Sequence, residues 1–471
     1  MSPPPDDRAT MIGRPAPQPP AVPTLARPRG SRLLIPACGV ALLGLFAGLY
    51  RADHALYMQI LVSLTRNPFP HPFIDWEWIP SAVECWHRGV DVYADNTCYE
   101  PILHSRHNYS PLWLRMSFLP PGKAWLAPFG LGFGLLFFSA LATLPPQRRS
   151  GAIWVTFLAT FSSMTAFAIE RGNVDLIMFE LAIAGVNCCL GPPRLRLLGY
   201  GIFTTAGLLK FYPFVLLALA LRERPRVFAG IFCATLGVAV AFGLAFHDEL
   251  ARAGAHLPGN SCFGDIFAST NLPNGLVVLA TIMAAQPGVP AAASSALTWT
   301  VFAPAWLVLT LTACVLAVRL LRRFELDVAL AAMPAREAGF LVAGALLTCG
   351  CFFATQNVGY RAIMILPTLP GLLWFAHSLP DRTARIAFTA SCATVVFVMW
   401  KIAISQLIVS SDGGIGLFLL HWLVDELAWW WLVSVLLAVL LAFLLNSTTG
   451  RLAARFIGLK LPPQRRASDR T

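Results

Sequence analysis

Residues 222–246 read RERPR followed by VFAGIFCATLGVAVAFGLAF. The second part is an uncharged run of about 20 residues, the length at which a helix crosses the hydrocarbon core of a bilayer. The arginines before it are typical of a cytoplasmic flank, because short cytoplasmic loops are enriched in Lys and Arg. This stretch therefore predicts a membrane-spanning helix that leaves the cytoplasm near Arg226.

The composition of the whole chain extends this interpretation. The chain has 471 residues, of which 56% are hydrophobic and 13% charged, whereas soluble domains carry about 25% charged residues. The net charge of +11 does not indicate a nucleic-acid partner, because the arginines form short clusters between apolar runs. We therefore expect an all-α, polytopic membrane protein without a soluble domain.

Apolar runs predict the number of crossings and the orientation of the chain. An even number of spans places both termini, and every arginine cluster, on the cytoplasmic side. This predicts a multi-pass protein of a bacterial inner (plasma) membrane whose site faces the periplasm or cell exterior. The twelve candidate spans are residues 33–50, 123–144, 151–169, 174–190, 197–209, 211–221, 227–246, 296–318, 338–354, 361–376, 386–404 and 428–445.

The remaining segments form tails and loops around this predicted core of residues 33–445. Residues 1–32 are proline-rich and predict a disordered cytoplasmic tail, and residues 446–471 predict a basic cytoplasmic tail. Residues 51–122 form the first outer loop, and a further outer loop is expected at 405–427. The short spans 197–209 and 211–221 predict a hairpin of broken helices with Lys210 near its outer tip.

Polar residues concentrate on the predicted outer side. Ionisable groups at the ends of spans suggest function, because they are costly in a membrane. Simpler interpretations stay open: a tryptophan-rich interfacial belt, ion pairs that cap a hairpin, or cations that snorkel to the interface. The clusters comprise the acidic residues of 73–86, residues 170–175, the hairpin tip near Lys210, and residues 356–361.

Two interpretations are possible for residues 73–86, FIDWEWIPSAVECW. In one continuous helix, Glu77 and Ser81 share a wet stripe while Asp75 lies on the opposite, apolar face. Burial there raises the pKa of a carboxyl towards a useful range for a base. Alternatively, the helix begins at Pro80 and Asp75 lies just before it.

The cysteines and histidines of the outer loops give weaker signals. Cys85, Cys98 and Cys262 fall in outer loops, where a disulfide between two of them is possible in an oxidising compartment. His104 and His107, two histidines three residues apart in a loop, are a weak signal for a metal site, and we expect none.

The outer motifs, in order, resemble the polyprenyl-phosphate-sugar-dependent glycosyltransferases of the GT-C fold. The resemblance is strongest to glycosyltransferase family 87, which includes mycobacterial mannosyltransferases, and it covers about residues 75–376. A longer gap between the first span and the acidic residue departs from the family pattern and leaves the sugar open. The motifs are Val83–Tyr93 after an aspartate, Asn108–Trp113, Phe118–Pro120, Arg171–Ile177, Leu208–Pro213, Asn357–Arg361 and Leu366-Pro367.

The resemblance implies a bundle of about twelve helices that transfers a sugar, mannose or similar, on the outer side. It implies a polyprenyl-phosphate sugar donor, a lipid or glycan acceptor, membrane lipid as surroundings, no cofactor and no nucleic acid. It makes Asp75 the general base, and a flippase or transporter of a lipid-linked glycan is the alternative. The candidates for the donor phosphate are Lys210, Arg361, Tyr212, Asn173 and Arg171, and those for the substrates are Trp76, Glu77, His107, Asn108, Tyr109, Glu170, Asp175, Asn357 and Tyr360.

Overall fold

The structure of the protein is a computed structural model. The structure describes residues 30–65, 69, 71–99, 106–120, 122–256, 262–264, 266–284, 298–354, 357–411 and 413–456. The predicted N-terminal tail, most of the basic C-terminal tail and His104 lie outside the described residues.

Helices make up almost all of the regular structure among these residues. The α-helices are α1 Gly30–Ala52, α2 His54–Leu64, α3 Ile74–His87, α4 Leu126–Leu141, α5 Ser150–Thr160, α6 Ser163–Arg171, α7 Asp175–Cys189, α8 Pro193–Lys210, α9 Pro225–Ala245, α10 His247–Gly254, α11 Asn271–Ala284, α12 Ala303–Arg323, α13 Leu326–Ala332, α14 Ala335–Ala354, α15 Leu369–Ser378, α16 Arg382–Met399, α17 Lys401–Ser410, α18 Gly414–Asn446 and α19 Thr448–Phe456. The 3₁₀ helices are Trp113–Arg115, Lys123–Trp125, Tyr212–Arg222 and Gly359–Thr368, and Thr298–Phe302 is a π-helix.

In the described part of the chain, seven helices are long and apolar enough to cross a membrane. The pair α5 and α6, bent by 40°, adds an eighth if it forms one span. The chain is therefore an all-α, multi-pass membrane protein. The seven are Leu33–Ala52, Lys123–Leu141, Pro225–Ala245, Thr300–Arg323, Ala335–Ala354, Arg382–Met399 and Gly414–Asn446.

Several of the twelve predicted spans correspond to shorter, interrupted helices. The predicted spans 197–209 and 211–221 become α8 and the 3₁₀ helix Tyr212–Arg222, and 361–376 becomes the 3₁₀ helix Gly359–Thr368 followed by α15. The expected break at Lys210 is present, because α8 ends there and Pro213 opens the next helix. Twelve crossings therefore stay a prediction.

The helices divide into a lipid-facing periphery and a packed centre. No residue of α9 is buried, whereas α14 and α18 bury most of their central residues. α14 packs against α15, α18 and the two long 3₁₀ helices. The expectation of an outer loop at 405–427 was wrong, because α17 and the 33-residue helix α18 take up most of it.

The two short strands join distant parts of the chain. β1, Ile266–Phe267, pairs antiparallel with β2, Asn357–Val358, with Ile266 opposite Val358. The Phe267 ring stacks on Trp429 of α18 with centroids 4.5 Å apart. This ribbon thereby connects α18 to the segment that carries Arg361.

The predicted first outer loop, residues 51–122, contains the helices α2 and α3. α3 is one continuous helix with Pro80 inside it, so the alternative start at Pro80 was wrong. The expected wet stripe was also wrong at Glu77 and Ser81, which are both buried. A disulfide joins Cys85, near the end of α3, to Cys98, and the Cα atoms of the two residues are 5.7 Å apart. Cys262 is free.

Candidate functional site

The turn between α6 and α7 forms the floor of the site. α6 ends at Arg171, and Gly172 follows with a φ of 58°, in the left-handed region that favours glycine. A Cβ atom on Gly172 would also lie 3.0 Å from the Cβ of Phe73. The Phe73 amide donates a 2.6 Å hydrogen bond to the carbonyl of Glu170. The missing side chain at Gly172 thus lets the start of α3 rest on this turn.

Docking of α3 on this turn places Asp75 beside Asn173. The amide nitrogen Nδ2 of Asn173 donates a 2.6 Å hydrogen bond to Oδ2 of Asp75. A guanidinium nitrogen of Arg171 lies 3.9 Å from Oδ1, and 19% of the Asp75 side chain remains exposed. Burial raises the pKa of Asp75, while Arg171 and Asn173 lower it by smaller amounts. A partly exposed carboxyl with a raised pKa is suited to accept a proton.

Asp175, at the start of α7, lies at the centre of the cationic part of the site. Its Oδ1 accepts from Nζ of Lys210 and from the Tyr212 hydroxyl, both at 2.8 Å. Its Oδ2 accepts from Nε of Arg361 at 3.0 Å. Asp175 is fully buried, whereas Lys210 and Arg361 each keep 13% of their side chains exposed. Two cations therefore share one carboxylate, which leaves one positive charge available to an anion.

Asn173 connects the acidic and cationic parts of the site. Its Nδ2 binds Asp75, while its Oδ1 lies 3.4 Å from Nζ of Lys210. The same Oδ1 accepts from the backbone amide of Asp175 at 2.9 Å, which fixes the orientation of the side-chain amide. One asparagine therefore sets the relative positions of Asp75 and Lys210.

Arg361 is held by the residue that precedes its helix. One guanidinium nitrogen of Arg361 donates to Oδ1 of Asn357. The Nδ2 of Asn357 donates to the backbone carbonyls of Cys351 and, at 3.4 Å, Phe267. The guanidinium is thus oriented from one side by β2 and from the other by Asp175.

Aromatic rings surround these cations. Nζ of Lys210 lies 5.3 Å from the centroid of the Tyr109 ring, and the Arg361 guanidinium lies 5.2 Å from the Tyr212 ring. These are cation–π distances. Burial raises the pKa of Tyr109 well above its usual value, so its hydroxyl stays protonated. The ring of Tyr360 packs on Phe167, 5.4 Å away.

Other predicted site residues lie outside this centre. Glu77 is buried and has Nε2 of His71 and Nζ of Lys123 as neighbours, each at 3.5 Å. Trp76 packs in the core against Phe133, with ring centroids 4.8 Å apart. Glu170 pairs with Nε of Arg171 at 3.1 Å, beside the centre. These three side chains therefore pack around the centre and do not form part of it.

The loop residues His107 and Asn108 belong to the wall above the site. His107 is fully buried between Tyr93 and Tyr109, whose ring centroids lie 5.5 Å and 6.1 Å from its own. Burial lowers the pKa of His107 to about 4, so its ring is neutral near pH 7. Asn108 is half-buried next to it. The described residues contain no group of three side chains that would hold a metal ion.

A large apolar cavity lies next to the acidic side of the site. It has a volume of about 520 Å³ and lies between α1, α2, α4 and α6. Its lining includes Leu43, Phe46, Leu61 and Leu131, with Arg51 among the few polar residues. Phe73, two residues before Asp75, and Glu170, next to Arg171 in the chain, also line it. The cavity therefore offers an apolar compartment close to the carboxylate.

Sequence reasoning missed a second buried ionic cluster. Lys401 at the start of α17 lies 2.6 Å from Oδ2 of Asp425 and 3.9 Å from Oε1 of Glu426. Asn271 donates to Glu426. The available signal was the pair of adjacent acids in the apolar run WLVDELAWWW, because charges inside such runs are costly.

Comparisons with protein-family models, curated proteins and solved structures found no match to this chain. The resemblance to glycosyltransferases therefore rests on the motifs alone.

Proposed function

We propose that this protein is a membrane glycosyltransferase that moves a sugar from a polyprenyl-phosphate donor to a lipid or glycan acceptor. The observation that carries this proposal is the position of Asp75 next to a centre with excess positive charge. A single asparagine bridges the two parts, with hydrogen bonds of 2.6 Å to Asp75 and 3.4 Å to Lys210. Glycosyl transfer from a phosphate needs this pairing of a base with a site for an anionic leaving group.

In the proposed reaction, the acceptor hydroxyl donates its proton to Asp75. The acceptor oxygen then forms a bond to the anomeric carbon of the sugar, and the bond from that carbon to the phosphate oxygen breaks. The electron pair of this bond stays on the departing phosphate, where Lys210 and Arg361 stabilise it. A single displacement of this kind inverts the configuration at the anomeric carbon.

The surroundings of the centre support a lipid-borne substrate. The apolar cavity of about 520 Å³ is lined by Phe73, two residues before Asp75, and in this proposal it accommodates a lipid chain whose polar end extends to Asp75. The rings of Tyr109 and Tyr212, which lie against the two cations, supply flat faces suited to a sugar. The outward position of the site and the mannose-like substrate come from the family resemblance and stay part of the proposal.

The direct test is transfer by the purified protein in lipid nanodiscs. Polyprenyl-phosphate sugars carrying a labelled hexose are supplied with a panel of lipid and oligosaccharide acceptors, and the products are analysed by mass spectrometry and NMR. We expect a glycosylated acceptor of inverted configuration and free polyprenyl phosphate in equal amounts. Absence of label from every acceptor, with the protein folded, would contradict the proposal.

The alternative, a transporter of a lipid-linked glycan, is favoured by one observation. The chain breaks between the helix that ends at Lys210 and the one that begins at Tyr212, next to the buried Asp175, and transporters place binding groups at such interruptions. Proteoliposomes loaded with a labelled lipid-linked glycan distinguish the two functions. A transporter changes the leaflet of the glycan without breaking the glycosidic bond, whereas the proposed transferase breaks it.

A further inference from the structure

The second ionic cluster consists of Lys401, Asp425, Glu426 and Asn271. All four side chains are buried, and Asp425 and Glu426 lie within the membrane-spanning helix α18. Breaking contacts with water is expensive for such groups, and a buried ion pair is weak support for stability by itself. A buried ionic cluster on such an apolar helix therefore needs a further physical reason, and the contacts it makes with β1 supply one.

The cluster binds the backbone of β1, the first strand of the ribbon. Nζ of Lys401 donates a 3.2 Å hydrogen bond to the backbone carbonyl of Ile266. Asn271 donates to the same carbonyl at 3.3 Å and also to Glu426. On the next residue, the Phe267 ring stacks on Trp429. The position of β1 is thus fixed by α17 and α18 through one carbonyl and one ring.

From β1, contacts continue without interruption to the proposed phosphate site. β1 pairs with β2, and the carbonyl of Phe267 accepts from Asn357 at 3.4 Å. Asn357 in turn accepts from Arg361, whose Nε lies 3.0 Å from Asp175. Lys401 and Arg361 are therefore linked through two paired strands and one asparagine side chain.

We propose that Lys401 is a positioning residue for Arg361. Lys401 pairs with the acids of α18 and holds the Ile266 carbonyl, which keeps the ribbon in the register that directs Asn357 towards the guanidinium. Without this lysine, the ribbon loses a charged donor and the two acids lose their cation. The segment that carries Arg361 then becomes mobile, while the turn at Arg171–Asp75 keeps its own contacts. The consequence for sugar transfer rests on the proposed function, whereas the consequence for the ribbon does not.

Hydrogen exchange tests the physical part of this proposal. In Lys401→Met, we expect amides of residues 357–368 to exchange about tenfold faster, because the ribbon loses a hydrogen bond from a charged group. Amides of α6 and α7 should keep their wild-type rates. The matched control is Glu223→Gln, which removes the charge of another buried carboxylate. Glu223 lies 3.0 Å from Nε of Arg196, near the end of α8 opposite to Lys210.

Equal exchange rates for residues 357–368 in Lys401→Met and the wild type would overturn the proposal. So would faster exchange spread evenly over the whole chain, or an equal increase in Glu223→Gln, since either shows general destabilisation. If Lys401→Met does not fold, Asn271→Ala provides the same test with a smaller change, because it removes one of the donors to Ile266.

A double-mutant cycle tests the link to the site. If Lys401 acts through Asn357, Lys401→Met lowers kcat/KM about tenfold in the wild-type background but changes it little in Asn357→Ala. Additive losses would contradict the proposed route. A wild-type protein that transfers no sugar, yet shows the expected exchange pattern, would refute the transferase function and leave the positioning role intact.

Discussion

The two ionic clusters of this protein differ in charge and in access. At the Asp175 centre, two cations share one carboxylate and each keeps 13% of its side chain exposed. At the Lys401 cluster, two carboxylates share one lysine and neither is exposed at all. The first arrangement leaves a cation able to meet an anion from outside, whereas the second is closed. The comparison separates a site that can bind a ligand from a cluster that holds structure in place.

The largest effect is expected at the carboxylate beside the open centre. Asp75→Asn keeps the shape of the side chain but removes the base, and should lower kcat by about 10²–10⁴-fold. The measurement is single-turnover transfer in nanodiscs. Glu77→Gln is the matched control on the same helix and should retain activity within a few-fold. Full activity in Asp75→Asn would exclude this residue as the base.

The next largest effect is expected at the cation shared with Asp175. Arg361→Lys keeps the charge but loses the planar fork that contacts Asp175 and Asn357. We expect kcat to fall by about 10²-fold, because donors aimed at developing charge typically contribute that much. A donor analogue with a better leaving group should recover part of the loss. Equal losses with both donors would argue against a role at the phosphate.

A substitution in the closed cluster should mainly lower stability and should affect transfer less. Asp425→Asn removes the closest acid of Lys401 and should lower the free energy of unfolding by about 3 kcal/mol, since it breaks a buried pair. Its effect on kcat/KM should stay below that of Arg361→Lys. Thermal unfolding in a defined detergent and steady-state transfer are measured on the same samples. If Asp425→Asn lowered kcat/KM as much as Arg361→Lys does while the free energy of unfolding stayed unchanged, Asp425 would belong to the open site instead.

A smaller effect concerns the pH dependence of the base. Because burial raises the pKa of Asp75, kcat/KM should fall on acidification at a pH above the ordinary titration range of an aspartate. Asn173→Ala removes a hydrogen bond to the charged form of Asp75, so the acid limb of the profile should move to higher pH. An unchanged pH profile would show that another group titrates.

The smallest effect is expected from His107, in the wall above the open centre. Its pKa is lowered to about 4 in the folded protein, against about 6.5 when unfolded. The unfolded chain therefore binds the proton first, and stability falls as pH drops from about 6.5 towards 4. His107→Gln should weaken this dependence, with a difference of about 2 kcal/mol between pH 7 and pH 5. Parallel stability curves for both proteins would contradict it.

Much of the fold was predictable because a membrane helix is indicated by a local run of apolar residues. The run 227–246 corresponds to α9, which ends at Ala245, and the break at Lys210 is present, whereas the start of α3 was left open between two alternatives. The loop expected at 405–427 was wrong because residues 414–427 form the first part of α18, in which Asp425 and Glu426 are buried. Their partner Lys401 lies on a different helix and forms ion pairs with them inside the bundle. A pairing between two helices cannot be predicted from the sequence around either one.

The sequence by itself determined the membrane character of the chain, the positions of its apolar helices and the grouping of polar residues at helix ends. These properties follow from hydrophobicity summed over neighbouring residues. Only the tertiary structure decided which polar groups meet. Asn173 and Asp75 are 98 residues apart in the chain, and Arg361 and Asp175 are 186 apart. Their contact depends on how the helices pack, and therefore on shape complementarity over the whole bundle, which no single stretch of sequence encodes.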